Sequence, residues 1–99
     1  MTVAAHLQKA RAFLQDAQLC ADHGRYDSSA SRASYAMFRA AIALLEHGDV
    51  QELRDAYTLR FIADYRDRQL SSQETQTALE AAQRFVTKIE GVISRGTHP

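Results

Sequence analysis

A single proline, at the last of 99 positions, and only four glycines leave almost nothing in this chain to interrupt a helix,. Ala, Leu, Gln, Glu and Arg dominate the remainder, and these are strong helix formers. The expected fold class is therefore all-α. Leu7, Ala10, Leu14, Ala17 and Ala21 recur at helical spacing, and the run stops at His23-Gly24, a basic residue followed by the glycine that commonly ends a helix,. The first helix is expected over residues 3–23. Tyr26-Asp27-Ser28 then offers polar N-cap candidates, and a second run stops at His47-Gly48, which predicts a helix over 28–47,. Asp49 with Glu52 resembles a capping box and opens a short third helix through Arg66,. Ser71 with Glu74 is a fuller capping box, and Leu79, Ala82, Val86, Ile89 and Ile93 carry a fourth helix over 72–95,.

Loops this short make neighbouring helices antiparallel, so the expected architecture is an up-down four-helix bundle. The length suits one core, and residues 1–99 are expected to form a single helical domain,. Twelve Lys and Arg balance twelve Asp and Glu, so no net charge draws the chain to nucleic acid or to an anionic membrane,. Any RNA site must be local. The longest apolar run, residues 40–45, is far below the roughly 20 residues of a membrane span,. A lone cysteine, Cys20, and no basic-then-apolar leader point to the cytoplasm,. Cys20 itself is expected as a small buried hydrophobe.

The second segment is apolar around an unusually wide arc. Ala30, Ala33, Met37, Ala41 and Leu44 form one stripe, while Tyr35, Phe38 and Ile42 extend it to a second,. Arg32, Arg39 and Glu46, seven residues apart, make a narrow charged ridge,. A bundle helix ordinarily needs an apolar stripe only about 100° wide. Either this helix sits centrally under the others, or Tyr35, Phe38 and Ile42 meet another chain; a homodimer through them is the preferred expectation.

Residues 26–45 read YDSSASRASYAMFRAAIALL, which resembles the signature "YDxAxSRAYYAMFxAAxALL" of small prokaryotic HEPN-domain proteins. Arg60-Phe61-Ile62-Ala63-Asp64-Tyr65 is similar to the family's "RxxADY" element, and Ala82, Phe85 and Val86 to its "A-x-x-F-V" element. The resemblance covers about residues 7–93 and implies a HEPN-like bundle with a shortened middle segment, because the family usually carries a longer stretch between Gly48 and Arg60. Ser29 and Ser34 stand where the pattern has Ala and Tyr.

The resemblance also implies a chemistry. Many HEPN proteins are ribonucleases with an R-x4-6-H pair, His to move the 2′-OH proton and Arg to stabilise phosphorane charge. Arg60 takes the Arg position, but Tyr65, Arg66 and Asp67 occupy the places where His is required. A tyrosine, ordinarily near pKa 10, is a poor general base at neutral pH, so a weakly catalytic or noncatalytic protein is expected, with Arg60 and Tyr65 the catalytic candidates. The remaining histidines, His6, His23, His47 and His98, fall at helix ends or tails, and His23 and His47 read as partners of helix C-terminal dipoles,. Arg60 lies on the packing side with Leu53, Ala56 and Tyr57, and pairs most simply with Asp64 one turn on,. Alternatively, Arg32, Arg60, Asp64 and Tyr65 border a nucleotide- or phosphate-binding groove. Neither zinc spacing nor a glycine-rich phosphate loop is present, so no metal or cofactor is expected,.

The leading functional expectation is an interaction module, one component of a prokaryotic toxin-antitoxin or nucleotidyltransferase-associated pair, with a small nucleotidyltransferase as the partner implied by resemblance. A metal-independent RNase toxin acting as a dimer, and a structural homo-oligomer, are the alternatives.

Overall fold

The computed structural model describes residues 2–48 and 70–96, and all regular structure among them is helical. We number its three helices α1 (Val3–Asp22), α2 (Tyr26–His47) and α3 (Ser72–Gly96). The expected helix over 50–66 lies outside the described residues; α3 is the expected fourth helix.

Each helix boundary has a local cause. The Thr2 hydroxyl accepts from the Ala5 N–H at 3.1 Å and caps α1,. At the other end, Gly24 takes φ +73°, its N–H donates to Ala21 C=O (3.1 Å), and the Arg25 N–H reaches Cys20 C=O (2.8 Å). This is the paired-bond turn in which a left-handed glycine satisfies the last carbonyls of a helix. His23 adds its ring: Nδ1 donates to Leu19 C=O at 2.9 Å, which bears out its reading as a helix-end residue,. Because the turn is finished at Arg25, α2 begins at Tyr26, two residues earlier than expected. Arg25 is the N-cap without a side-chain cap bond, and the proposed cap residues Asp27 and Ser28 lie inside the first turn, where Asp27 faces the helix dipole favourably,. α2 closes on Gly48 at φ +97°. α3 opens with the expected capping box: Ser71 Oγ accepts from the Glu74 N–H (3.0 Å), and Glu74 Oε1 accepts from the Ser71 N–H (3.1 Å),.

Two side-chain contacts fix α1 and α2 as antiparallel. Ser29, at the start of α2, is fully buried and donates its hydroxyl to Ala17 C=O near the end of α1 at 2.7 Å. His6, in the first turns of α1, meets Glu46 in the last turn of α2. The third helix is tied in by Arg11 of α1, which forks onto Glu90 of α3 (Nε to Oε2 3.0 Å, Nη2 to Oε1) and also reaches Thr87 Oγ1 at 3.1 Å. The hydrogen bond to Glu90 chiefly, with its negative charge, raises the Arg11 pKa above its ordinary value, against partial burial that lowers it,.

α2 packs on both other helices. The surface it commits is largely methyl groups: Ala33, Ala36, Ala40 and Ala43 are each fully buried, alongside Met37 and Leu44. α1 contributes Ala10, Leu14 and Ala17, while α3 brings bulk with Leu79, Phe85, Val86, Ile89 and Ile93. Small faces let helix axes approach closely, and the branched residues of α3 fill what remains. The spacing-derived stripes of all three helices are thus buried, except that Leu7 and Ala21 sit half-exposed at the edge of the core. Cys20 is also half-buried rather than buried, one position off the stripe.

Enlarging one of these methyl faces tests the packing. Ala33→Leu is expected to lower the unfolding free energy by about 1–3 kcal/mol through overpacking, read as a lower urea midpoint at unchanged slope.

Candidate functional site

With its alanine face, Met37 and Leu44 spent on the core, α2 turns a second set of large apolar side chains outward. Tyr35 is 53 % exposed, Phe38 51 % and Leu45 46 %, and Ile42 between them is half-buried. Their spacing of three, four and three residues puts them on one continuous stripe,. Phe13 of α1 supports one end, its ring centroid 5.5 Å from that of Tyr35 at a tilt of 36°,. Tyr35, Phe38 and Ile42 are the three interface residues expected from sequence. Leu45 was not foreseen, although the same spacing extends to it. The wide apolar arc of α2 therefore divides in two: the face of Ala33, Ala36, Met37, Ala40 and Leu44 is buried against the other helices, and the stripe of Tyr35, Phe38, Ile42 and Leu45 remains at or near the surface.

The charged ridge flanks this stripe, and its members differ in surroundings. Arg32 and Glu46 are exposed, but Arg39 is half-buried, drawn toward His6. His6 is only 5 % exposed and uses both ring nitrogens: Nδ1 lies 3.3 Å from an Arg39 Nη1, and Nε2 lies 3.3 Å from Glu46 Oε1. A guanidinium can only donate and a carboxylate only accept, so the two contacts together suit a ring that accepts at Nδ1 and donates from Nε2,. His6 does fall at a helix end, as expected, and the first turns of α1 fold it against the end of α2. No sequence spacing could show this, since His6 and Glu46 are 40 positions apart. His47, the next residue, holds Nδ1 buried without a hydrogen-bond partner.

His6 and Arg39 are the residue types that phosphodiester cleavage uses, yet their arrangement serves holding rather than turnover. Both imidazole nitrogens are engaged by side chains and the ring is covered, which leaves no nitrogen directed at a substrate. The other candidates for ligand chemistry, Arg60, Asp64 and Tyr65, lie outside the described residues, so the structure brings none of them to Arg32. Among the described residues no three His, Cys, Asp or Glu side chains are grouped as for a metal ion, and no helix is long and apolar enough to cross a membrane.

An all-helical chain with an antiparallel first pair and an aromatic stripe on its second helix defines the class. A family model described as HEPN domain matches residues 3–49, which takes in all of α1 and α2. The match supports a small HEPN-domain protein, and it rests on the helical pair that carries the stripe. No curated protein and no solved structure matches the chain.

Removing the buried ring tests the clasp at the open end of that pair. His6→Ala is expected to cost about 1–3 kcal/mol, from a small cavity and two lost hydrogen bonds. Denaturant unfolding gives the magnitude, and amide exchange should quicken in the first turn of α1 and the last turn of α2 together. Faster exchange in α1 alone would refute the cross-helix role.

Proposed function

We propose that this chain is a HEPN-type interaction module, weakly catalytic or noncatalytic, that forms a homodimer through the outward stripe of α2. It acts in the cytoplasm as one component of a prokaryotic toxin-antitoxin or nucleotidyltransferase-associated pair. The observation that carries the reading is the half-exposure of Tyr35, Phe38 and Leu45 on a helix whose remaining apolar surface is buried. Complete burial of such side chains is worth about 1.5–3 kcal/mol each, so covering the exposed half returns on the order of 1 kcal/mol apiece toward association. The covered, doubly engaged His6 supports the noncatalytic half of the proposal, as does the absence of His at positions 65–67.

The proposal also takes residues 1–99 as one domain, a four-helix bundle completed by the helix expected over 50–66. The small nucleotidyltransferase partner rests on family resemblance. Arg60, Asp64 and Tyr65, with the exposed Arg32, are the proposed contacts for a nucleotide or RNA phosphate, suited to it by the guanidinium fork,.

Sedimentation at micromolar concentration should show a dimer, and Phe38→Glu should shift it to monomer while the helical signal is kept; a wild-type monomer refutes the interface. Incubating the protein with RNA beside Arg60→Ala tests the chemistry. Little cleavage, equal in both, is expected, whereas rapid cleavage abolished by the substitution would establish the RNase toxin instead.

A further inference from the structure

We propose that the second copy binds in one defined arrangement: α2 against α2, antiparallel about a two-fold axis that crosses the outward stripe midway between Phe38 and Ile42, with Arg32 of each copy near Glu46 of the other. This rests on the dimer reading above and adds direction, register and the residues that select them. The argument starts from the stripe. Tyr35, Phe38, Ile42 and Leu45 follow the three-four spacing by which one helix seats its side chains between those of another,. A closed dimer uses the same patch on both copies. Tyr35 and Leu45 stand five positions either side of Ala40, and Phe38 and Ile42 two either side. Turning the second copy around therefore places each aromatic ring opposite an aliphatic side chain, in four consecutive layers with none unmatched.

Charge selects the same register independently. In an antiparallel helix pair, residues on one flank of the seam meet the same flank of the partner. The flanking ridge is Arg32, Arg39 and Glu46, with Arg32 and Glu46 each seven positions from Arg39. When the apolar layers are matched, Arg32 thus falls two positions, about 3 Å along the axis, from the level of Glu46 of the partner copy, within reach of its side chain, twice by symmetry,. The Glu46 side chain is 42 % exposed and can receive a guanidinium there,. In a parallel pair the ridge would instead run along Ser34 and Ala41, which carry no charge.

The register has one electrostatic cost, since it sets Arg39 opposite Arg39 of the partner copy at the axis. The fold already answers it. His6 Nδ1 draws the Arg39 guanidinium aside, at 3.3 Å, before any partner arrives. The clasp and the seam are in this sense one device: His6 holds the like charge away from the axis and touches Glu46 on the same ridge.

Two experiments on the full chain decide it. In a Cys20→Ser background, Tyr35→Cys and Leu45→Cys variants are oxidised separately and as a mixture. The antiparallel register predicts a disulfide-linked dimer from the mixture alone, because like positions are ten residues out of step, roughly 15 Å along the helix. Linkage within either variant by itself means a parallel pair and overturns the proposal. No linkage in any sample, with both variants dimeric by sedimentation, places the interface elsewhere and overturns it too. A monomeric wild-type chain removes the dimer reading itself, which is a separate outcome. In the second experiment, Arg32→Glu and Glu46→Arg chains should each dimerise about tenfold more weakly and recover when mixed, since only the mixed dimer has two opposite-charge pairs. Equal weakness before and after mixing, with both chains folded by circular dichroism, refutes the Arg32 to Glu46 pairing.

Discussion

The close contact of methyl groups around α2 is the constraint on which the rest of this structure depends. Ala33, Ala36, Ala40 and Ala43 are fully buried, with Ala10 and Ala17 on α1 and Ala78 and Ala82 on α3 also buried. A helix that meets its neighbours through alanine gains little apolar area per residue, and gains it only if the backbones approach closely. Close approach makes the interface intolerant of added volume, and on α2 only Met37 and Leu44 add larger side chains to the alanine face. The outward position of Tyr35, Phe38 and Leu45 is a direct result of where the alanines sit.

Much of this was legible in the residues. The two His-Gly stops and the Ser71-Glu74 capping box are local chemistry, decided within four or five positions, and the helices end or begin where those signals stand. The buried stripes of α2 and α3 were legible for the same reason, because helical periodicity alone puts Ala33, Met37 and Leu44, or Leu79, Val86 and Ile93, on one face. The two-residue error at the start of α2 arose from competition between signals: the polar residues after Tyr26 can cap a helix, but the turn closed by Gly24 ends at Arg25, which is already the N-cap, so the helix starts at Tyr26.

What the residues could not show is what joins distant positions. His6 was legible only as a residue at a helix end or tail, and the antiparallel docking of α1 on α2 reveals it as a covered ring between Arg39 and Glu46. Arg11 with Glu90 is a similar case, two charges 79 positions apart that no spacing rule connects. The candidate site was half legible. Periodicity found Tyr35, Phe38 and Ile42, whereas the wide arc on which they lie could not say whether α2 was central or an interface. It is both: one face carrying four alanines with Met37 and Leu44 is buried, and the face with Tyr35, Phe38 and Leu45 is outward, a choice between two apolar faces that a two-class hydrophobic pattern cannot make,.

The pair α1 and α2 is fastened at both ends by contacts internal to it, Ser29 to Ala17 beside the turn and His6 to Glu46 at the far end. Every such contact joins residues within one contiguous stretch, so the loop that must close is short and the topological barrier to forming the hairpin is low. During vectorial synthesis this hairpin can assemble from its own residues before α3 has left the ribosome, with Arg11 and the methyl faces already displayed as a template onto which the last helix condenses.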